Sequence, residues 1–259
     1  MSLTGELDPA ELVTAWDDQQ AAYIADRESR FRIMVEVVRL SCGEAPVVVD
    51  LACGPGSLSA RVLQDIPQAR VLAVDFDPLL LDLAKRTLTT AYGDRVTTVE
   101  ADLADTSWAE VVAEILDGAS VSAFVSTTAL HWLRPEDLIG VYRAAAAMLP
   151  KGGILLNGDH FRFDSRSPML KKLAAAHDDA TQARSHAAGA LTWDQWWAAA
   201  SARPGGEALA ALRAERFLHR ESPPSTAVDF HLAALAQAGF SEVGTVWQLL
   251  DDYVAFGVK

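Results

Sequence analysis

Five short apolar runs alternate with helical patterns between residues 47 and 157 of this chain. Val47 to Leu51 is β-branched and lacks polar alternation, which is typical of a strand that is covered on both faces. Four further strands are predicted at 71–74, 96–100, 121–126 and 154–157, with a helix between each pair of neighbours. The alternation therefore predicts an α/β fold, a doubly wound and mostly parallel sheet with right-handed crossovers.

The flanking segments follow other patterns. Spacings of three and four predict a helical segment over 16–40, and helical stretches rich in Ala and Trp replace the alternation after residue 160. A helix pattern closed by Gly239, and two apolar runs on either side of Asp251 and Asp252, predict a closing helix and hairpin. We therefore expect an N-terminal helical lid at 1–45, a core at 46–160, a helical cap at 161–222 and a C-terminal completion of the core at 223–259.

Net charge restricts the partners. The chain has 35 Asp and Glu against 22 Lys and Arg, a formal charge of −13, so a polyanion is repelled on average and bulk nucleic-acid binding is excluded. The cap differs, because residues 160–220 hold nine basic and six acidic residues, net +3, which leaves −16 elsewhere. The basic residues of the cap either form a solvated helix face or attract a small anionic acceptor.

Cysteines and hydropathy indicate the compartment. Cys42 and Cys53 have no neighbouring Cys or His at ligand spacing, so neither a disulfide framework nor a metal site is predicted. The first residues lack the basic and apolar pattern of a secretory signal, and no charge-free apolar stretch is long enough to span a bilayer. We expect a cytoplasmic protein without membrane attachment, either a monomer or a homodimer.

The turn after the first strand and the end of the second strand carry the strongest chemical signal. Gly54 and Gly56 follow the first strand, where residues without a Cβ let the backbone approach a nucleotide-like ligand closely. Asp75 ends the second strand nineteen residues after Gly56, where a carboxylate can accept hydrogen bonds from both ribose hydroxyls. Together they predict a site for an adenosine-containing cofactor.

These residues resemble class I S-adenosylmethionine-dependent methyltransferases through Val47 to Gly56. The resemblance continues at 74–77, 100–103, 128–133 and 149–153, and the Ala-Leu-His-Trp-Leu segment at 129–133 is similar to the subgroup that includes trans-aconitate methyltransferase. It implies a Rossmann-like, seven-stranded sheet with an antiparallel last strand. It also implies S-adenosyl-L-methionine as the cofactor and a small-molecule methyl acceptor.

The resemblance assigns roles to individual residues. Asp50 is expected to contact the methionine end of the cofactor, and Asp102 to accept from the adenine amino group. Each has an alternative role as a cap of the turn or helix that follows it, and Asp77 is expected to be a helix cap. The complete set of expected cofactor-binding residues is Asp50, Ala52, Gly54, Gly56, Asp75, Phe76, Asp102, Leu103, Thr127 and, in the lid, Tyr23.

Methyl transfer from a sulfonium releases a neutral group, so alignment and exclusion of water are the main demands. A hydroxyl or protonated amine acceptor benefits from a base, whereas a carboxylate needs none. His131, in the segment that faces the methyl group in the resembling family, is the candidate base, and its alternative role is to shape the pocket beside Trp132. Asp159 and His160 end the fifth strand and are the other candidate catalytic residues.

Three tryptophans of the cap, Trp193, Trp196 and Trp197, lie at near-helical spacing. Aromatic residues at that spacing either pack a cap onto its domain or line an acceptor pocket. We expect them to serve packing.

Other acceptors and functions remain open at this stage. The segment after the fourth strand lacks the Asp/Asn-Pro-Pro-aromatic pattern of enzymes that methylate base amino groups, so that activity is disfavoured. A protein or tRNA acceptor and a non-catalytic cofactor-binding protein are alternatives. An NAD(P)-dependent oxidoreductase is a weaker one, because Ser59 stands where its fingerprint requires a third glycine.

Overall fold

The computed structural model describes residues 7–259. Its helices are α1 (Pro9–Tyr23), α2 (Arg27–Cys42), α3 (Ser57–Asp65), α4 (Pro78–Tyr92), α5 (Trp108–Leu116), α6 (Pro135–Met148), α7 (Pro168–Ala187), α8 (Trp193–Ala202), α9 (Gly206–Phe217) and α10 (Val228–Ala238). Its strands are β1 (Val47–Leu51), β2 (Arg70–Asp75), β3 (Val96–Glu100), β4 (Ala123–Thr127), β5 (Ile154–His160), β6 (Glu242–Leu249) and β7 (Asp252–Val258). Short 3₁₀ turns lie at Gly93–Arg95 and Leu130–Trp132.

The strands form one sheet in the order β3-β2-β1-β4-β5-β7-β6. The first five strands pair in parallel, and β7 inserts antiparallel between β5 and β6. The predicted α/β class, with seven strands and an antiparallel last strand, is confirmed. The strand order reverses between β1 and β4, and ligands of such sheets bind at the carboxyl ends of the strands beside this point.

Alternate side chains of the central strands supply both apolar layers. All five residues of β1 are buried, with Val49 and Leu51 in one cluster and Val48 in the other. This follows from the two-residue period of a strand, which sends successive side chains to opposite faces. Phe31 of α2 covers one face and Leu235 of α10 the other. Burial on both faces holds the strand ends, and the turns that follow them, in fixed positions.

The N-terminal helical segment is two helices. Asp8 caps α1 by accepting from the backbone N–H groups of Ala10 and Glu11, and α1 ends at Tyr23. Asp26, with φ of 54°, then turns the chain into α2. The helical region predicted over 16–40 is therefore helical, with a break at residues 24–26.

The cap contains α7, α8 and α9, and ion pairs with the acidic core hold it in place. Cap arginines pair with carboxylates outside the cap, and the Arg166 side chain is also largely exposed, as expected of a solvated face. The pairs are Arg162–Asp251, Arg166–Asp229, Arg203–Asp82, Arg213–Asp77, Arg216–Glu100 and Arg220–Asp102.

Of the three cap tryptophans, Trp196 packs as expected, whereas Trp193 and Trp197 also line a cavity at the carboxyl ends of the strands, which was the alternative. Trp196 is fully buried, its ring centroid lies 4.6 Å from that of Trp16 in α1, and its Nε1 donates to the carbonyl of Leu12 at 2.9 Å. An aromatic ring that is buried together with a satisfied N–H is a strong anchor between two elements. The cap and α1 therefore dock on each other as well as on the sheet.

Both cysteines are free thiols, and burial raises the pKa of the Cys53 thiol well above its ordinary value. A thiol with a raised pKa is a poor nucleophile, so Cys53 is a packing residue of the turn after β1. Over residues 7–259, no helix combines the length and the apolar character that crossing a bilayer requires.

Candidate active site

A cavity of about 500 Å³ lies at the carboxyl ends of the parallel strands, beneath α1 and the cap. Most of the residues singled out from the sequence line it. They are Tyr23, Ala52, Asp75, Phe76, Asp102, Leu103, Thr127, His131 and His160. Asp50, Gly54, Gly56 and Asp159 lie behind this wall.

The turn after β1 depends on two glycines for different reasons. Gly54 has φ of 57°, and no atom lies within 4 Å of where its Cβ would be, so the space beside it is open. Gly56 has φ of 90°, and a Cβ there would come 2.6 Å from Leu88 Cδ1. Glycine tolerates both the backbone conformation and the close approach. The turn therefore presents bare backbone beside the cavity.

Asp50 supports this turn from behind. Its Oδ2 accepts from the backbone N–H of Ser59 at 3.1 Å and from the Ser59 hydroxyl at 2.7 Å, so it caps the start of α3, the alternative weighed from the sequence. Burial raises the pKa of Asp50 to about 7, against the lowering effect of the Ser59 hydrogen bonds. Its Oδ1 is buried without a hydrogen-bond partner among the described residues. The expected contact with the methionine end stays a prediction.

Asp75 and Phe76 form the part of the cavity expected to hold the adenosine. Asp75 accepts from the backbone N–H of Gly54 at 2.6 Å and of Asp77 at 2.7 Å, and burial raises its pKa to about 6 although these bonds oppose the shift. Asp77 caps α4 as predicted, by accepting from the N–H groups of Leu79 and Leu80. Phe76 lies 5.8 Å, centroid to centroid, from Phe217 of the cap.

The cap supplies residues here that no motif indicates. Arg220 lies over the Phe76 ring at 4.7 Å from its centroid and pairs with Asp102. Asp102 also accepts from the N–H of Ala104 at 3.0 Å, so it closes a local turn. The Asp102 carboxylate, which the family resemblance assigns to the adenine amino group, therefore already has two partners, Arg220 and the Ala104 N–H.

The end of β4 is held in an unusual conformation. Thr128 has φ of 52°, which is rare for a β-branched residue and is typical of functional sites. Arg30 of α2, fully buried, donates through Nη2 to the hydroxyls of Thr127, at 2.9 Å, and Thr128. Burial lowers the pKa of Arg30 to about 10, although Asp252 and Asp159 oppose this shift. Arg30 was not predicted from the sequence. The signal that could have indicated it is a charged residue on the apolar stripe of a predicted helix.

His131 and Asp159 form a hydrogen-bonded pair beside Thr128. His131 Nδ1 lies 2.7 Å from Asp159 Oδ1, and the His131 backbone N–H donates to Asp159 Oδ2 at 3.1 Å. Burial disfavours both charged forms, but the pair outweighs it, so the pKa of His131 is raised and that of Asp159 is lowered. In the neutral imidazole this bond keeps the proton on Nδ1, which donates to the Asp159 carboxylate, and leaves Nε2 free to accept a proton.

A second histidine and carboxylate pair lies next to the first. His160 Nδ1 contacts Asp252 at the start of β7, and the two imidazole centroids are 6.1 Å apart. Asp252 also lies 3.9 Å from Arg30 Nη1. Sequence reasoning missed Asp252, because only the antiparallel pairing of β7 with β5 brings it opposite His160.

Comparison with known proteins identifies this architecture. Residues 48–153 match a family model described as a methyltransferase domain. The core is a class I S-adenosylmethionine-dependent methyltransferase domain. Curated relatives include trans-aconitate 2-methyltransferase of Azoarcus sp. (strain BH72), 33% identical over 118 residues, which are 46% of this chain and 41% of the relative.

Further relatives of the methyltransferase domain agree. Trans-aconitate 2-methyltransferase of Acidovorax ebreus (strain TPSY) is 29% identical over 174 residues, which are 67% of this chain and 60% of that one. Human N-acetylserotonin methyltransferase, solved in complex with SAM, has the same fold, with a TM-score of 0.57 and 14% identity over 97% of this chain and 56% of that chain. The matched region spans 41% to 60% of the length of these curated relatives.

The residues of this methyltransferase domain fit S-adenosylmethionine, the cofactor of its family. Gly54 leaves open space beside its backbone, and the Asp75 carboxylate, which accepts from the Gly54 N–H, lines the cavity. The buried and unpartnered Asp50 Oδ1 is a further acceptor close behind the turn. Such a bare turn followed by an acid at the end of the next strand is how α/β sheets hold adenosyl groups.

Proposed function

We propose that this chain transfers a methyl group from S-adenosylmethionine to a small-molecule acceptor. One observation carries the proposal: a single cavity is lined by both Asp75, beside the glycine turn, and His131, which is paired with buried Asp159. The names of the curated relatives support a small acceptor. We also propose that the protein acts in the cytoplasm, as a monomer or a homodimer.

The chain's own residues suit such a reaction. When bound, the cofactor supplies an electrophilic methyl group and departs as a neutral thioether. His131 Nε2 accepts the proton of a hydroxyl acceptor, and Asp159 stabilises the resulting imidazolium. Arg30 fixes Thr127 and Thr128 at the strand end, and the cap and α1 limit the access of water.

The covering elements favour a small acceptor over a protein or tRNA. Tyr23 at the end of α1, Gln182 in α7 and Phe217 in α9 all line the cavity from above, so a macromolecule meets these elements before it meets His131. The net charge of −13 also opposes tRNA. The intact histidine and carboxylate pair argues for turnover and against a protein that only binds the cofactor.

Calorimetric titration with S-adenosylmethionine, S-adenosylhomocysteine, NAD and NADP tests the cofactor. We expect micromolar binding of the two adenosyl ligands only. Asp75→Asn should weaken it by about 1 to 3 kcal/mol, because a carboxylate holds ribose hydroxyls more strongly than an amide does. Asp65→Asn, an exposed carboxylate at the end of α3, is the matched control and should not change affinity.

Circular dichroism confirms that both variants are folded before the affinities are compared. Binding of NAD in preference to the adenosyl ligands, or equal effects of the two substitutions, would contradict the proposed cofactor site. Detection of methyl transfer then requires an acceptor.

A further inference from the structure

Two histidine and carboxylate pairs face the same end of the cavity. His131 is paired with Asp159 and His160 with Asp252, and both carboxylates are buried. Both histidines line the cavity, and their ring centroids are 6.1 Å apart. Each carboxylate contacts Nδ1, so each ring turns its Nε2 away from its partner.

This arrangement selects the chemistry of the acceptor. A neutral imidazole whose Nδ1–H is donated to a carboxylate has a lone pair at Nε2 and accepts a hydrogen bond there. His131 is hydrogen-bonded to Asp159 in this way. His160 Nδ1 only contacts the Asp252 carboxylate, without a hydrogen bond of good geometry, but a nitrogen that faces a carboxylate so closely also favours the Nδ1–H form. The two Nε2 atoms therefore call for two donors. Because each hydrogen bond spans about 2.8 Å, two hydroxyls on neighbouring carbons of one molecule fit between rings that do not touch.

The charges around the histidines do not suit a carboxylate acceptor. Each arginine that lines the cavity within residues 7–259 is already paired with carboxylates. The pairs are Arg27–Asp17, Arg162–Asp178, Arg162–Asp251, Arg213–Asp77 and Arg220–Asp102. The region around the histidines holds two arginines, Arg30 and Arg162, against Asp159, Asp178, Asp251 and Asp252. A further carboxylate beside His131 would add to this excess of negative charge, and like charges so close are unfavourable.

The side chains that line the cavity near His131 suit an acceptor with a flat ring. Trp132 adjoins His131, with centroids 5.0 Å apart, and its side chain is 58% exposed. Tyr23 and Leu133 line the cavity as well. A large exposed aromatic side chain beside a candidate base offers a stacking surface for another aromatic ring.

We propose that the acceptor is an aromatic compound with two adjacent hydroxyls, one deprotonated by His131 and the other held by His160. The inference rests on the proposed function. In the transfer step the acceptor O–H proton moves to His131 Nε2, the S–CH₃ bond breaks and the O–CH₃ bond forms. The products are a methyl ether, S-adenosylhomocysteine and a proton that His131 releases to solvent. His160 is then a specificity-determining residue.

Catechol, phenol and benzoate are matched probes, since they share the ring and differ in the groups offered to the histidines. Each is incubated with the full chain and S-adenosylmethionine, and methylated product is measured by mass spectrometry. Each is also titrated into protein saturated with S-adenosylhomocysteine. We expect catechol to bind and to be methylated at least about tenfold more efficiently than phenol, since one added hydrogen bond is worth about that factor. Benzoate should do neither.

His160→Asn separates the role of His160 from a structural one. The asparagine amide can still reach Asp252 but offers no group at the Nε2 position. We expect KM for catechol to rise about tenfold with a much smaller change in kcat, so that the preference for catechol over phenol is lost. His219→Asn, at an exposed position without described side-chain hydrogen bonds, is the control.

The outcomes are distinct. Turnover of benzoate without turnover of catechol would overturn the inference and leave the proposed function standing, as would an unchanged preference for catechol over phenol in His160→Asn. Failure of all three probes to bind the S-adenosylhomocysteine complex would also overturn it. Failure of the adenosyl ligands themselves to bind would overturn the proposed function instead.

Discussion

Arg30 is a buried cation that contacts three polar side chains. It donates to Thr127 and Thr128, and it lies 3.9 Å from Asp252. Its fork of donors is well suited to two hydroxyls that lie close together, and a lysine cannot reproduce it. It therefore connects the end of β4 to the start of β7 through α2, an element outside the sheet.

Arg30→Lys should lower the free energy of unfolding by about 1 to 3 kcal/mol, because hydrogen bonds to buried hydroxyls are lost while the charge remains. Urea denaturation monitored by circular dichroism measures this change. Arg32→Lys lies on the same helix at an exposed position and is expected to have little effect. Equal destabilisation by both substitutions would show that the Thr127 and Thr128 contacts contribute nothing.

Protonation of His131 should set the acidic limb of the pH profile. Asp159 raises the pKa of His131 against burial and against Arg162 and Arg30, which oppose the charged form. The imidazole must be neutral to accept a proton, so kcat/KM for a hydroxyl acceptor should rise as pH increases through this raised pKa. Asp159→Asn removes the raising charge, so the limb should move to lower pH while the maximum rate falls.

The measurement is kcat/KM for catechol between about pH 5 and 9. The groups that face His131 are Asp159, His160, Arg162 and Arg30, and Asp252 faces His160. Asp252→Asn changes a carboxylate that does not touch His131, so it serves as the comparison. A limb that stays in place in Asp159→Asn would exclude His131 as the titrating base.

At the scale of elements, α9 should respond to salt more than other helices. Its contacts with the core include Arg213–Asp77 and Arg216–Glu100, and Arg220–Asp102 follows just after its end; all three pairs are partly exposed. Salt screens such pairs, since the Debye length falls from about 10 Å at 0.1 M to about 3 Å at 1 M. We expect hydrogen exchange in α9 to accelerate in 1 M NaCl.

The apolar helix α5 is the control, because Trp108 and Val112 hold it to the core by burial. Its exchange should be nearly independent of salt, or slow slightly. If α5 and α9 respond alike, the ion pairs do not hold the cap on the core.

Helices and strands were predictable from the sequence where interactions between residues close in the chain determine them. Strands β1, β2, β4 and β5 contain continuous apolar runs because both their faces are covered, whereas the edge strand β3 has the sequence Val-Thr-Thr-Val-Glu and is partly exposed. Asp77-Pro78 marks the start of α4 by its own cap. The break between α1 and α2 was missed because Asp26, which adopts φ of 54°, is neither glycine nor proline. The docking of α9 was missed for a similar reason, since its partners lie more than a hundred residues away in the chain.

The same distinction applies to the site. Asp75 and His131 follow strands directly, so motif and strand order are sufficient to place them in one cavity. Arg30 and Asp252 come from a helix outside the sheet and from an antiparallel strand, and the contacts that bring them to the site are tertiary. The predicted cofactor end was consequently more complete than the predicted acceptor end.

At the scale of the whole molecule, cofactor binding should stabilise core and cap together. A ligand that binds only the folded state at a hundred times its Kd adds about 2.7 kcal/mol. For a chain of this size that corresponds to a rise in Tm of roughly 5 to 10 °C. Differential scanning fluorimetry with S-adenosylhomocysteine, and with adenosine as the control, measures the shift. No rise in Tm at saturating S-adenosylhomocysteine would contradict a site in the folded chain.

The position of β7 between β5 and β6 sets an order of assembly. During synthesis the glycine turn and Asp75 leave the ribosome long before Asp252, which completes the His160 pair. Contacts so distant in sequence form late in folding. A nascent chain that stops short of residue 252 is therefore expected to acquire the cofactor turn without its second histidine pair, so that the two ends of the cavity are completed at different times.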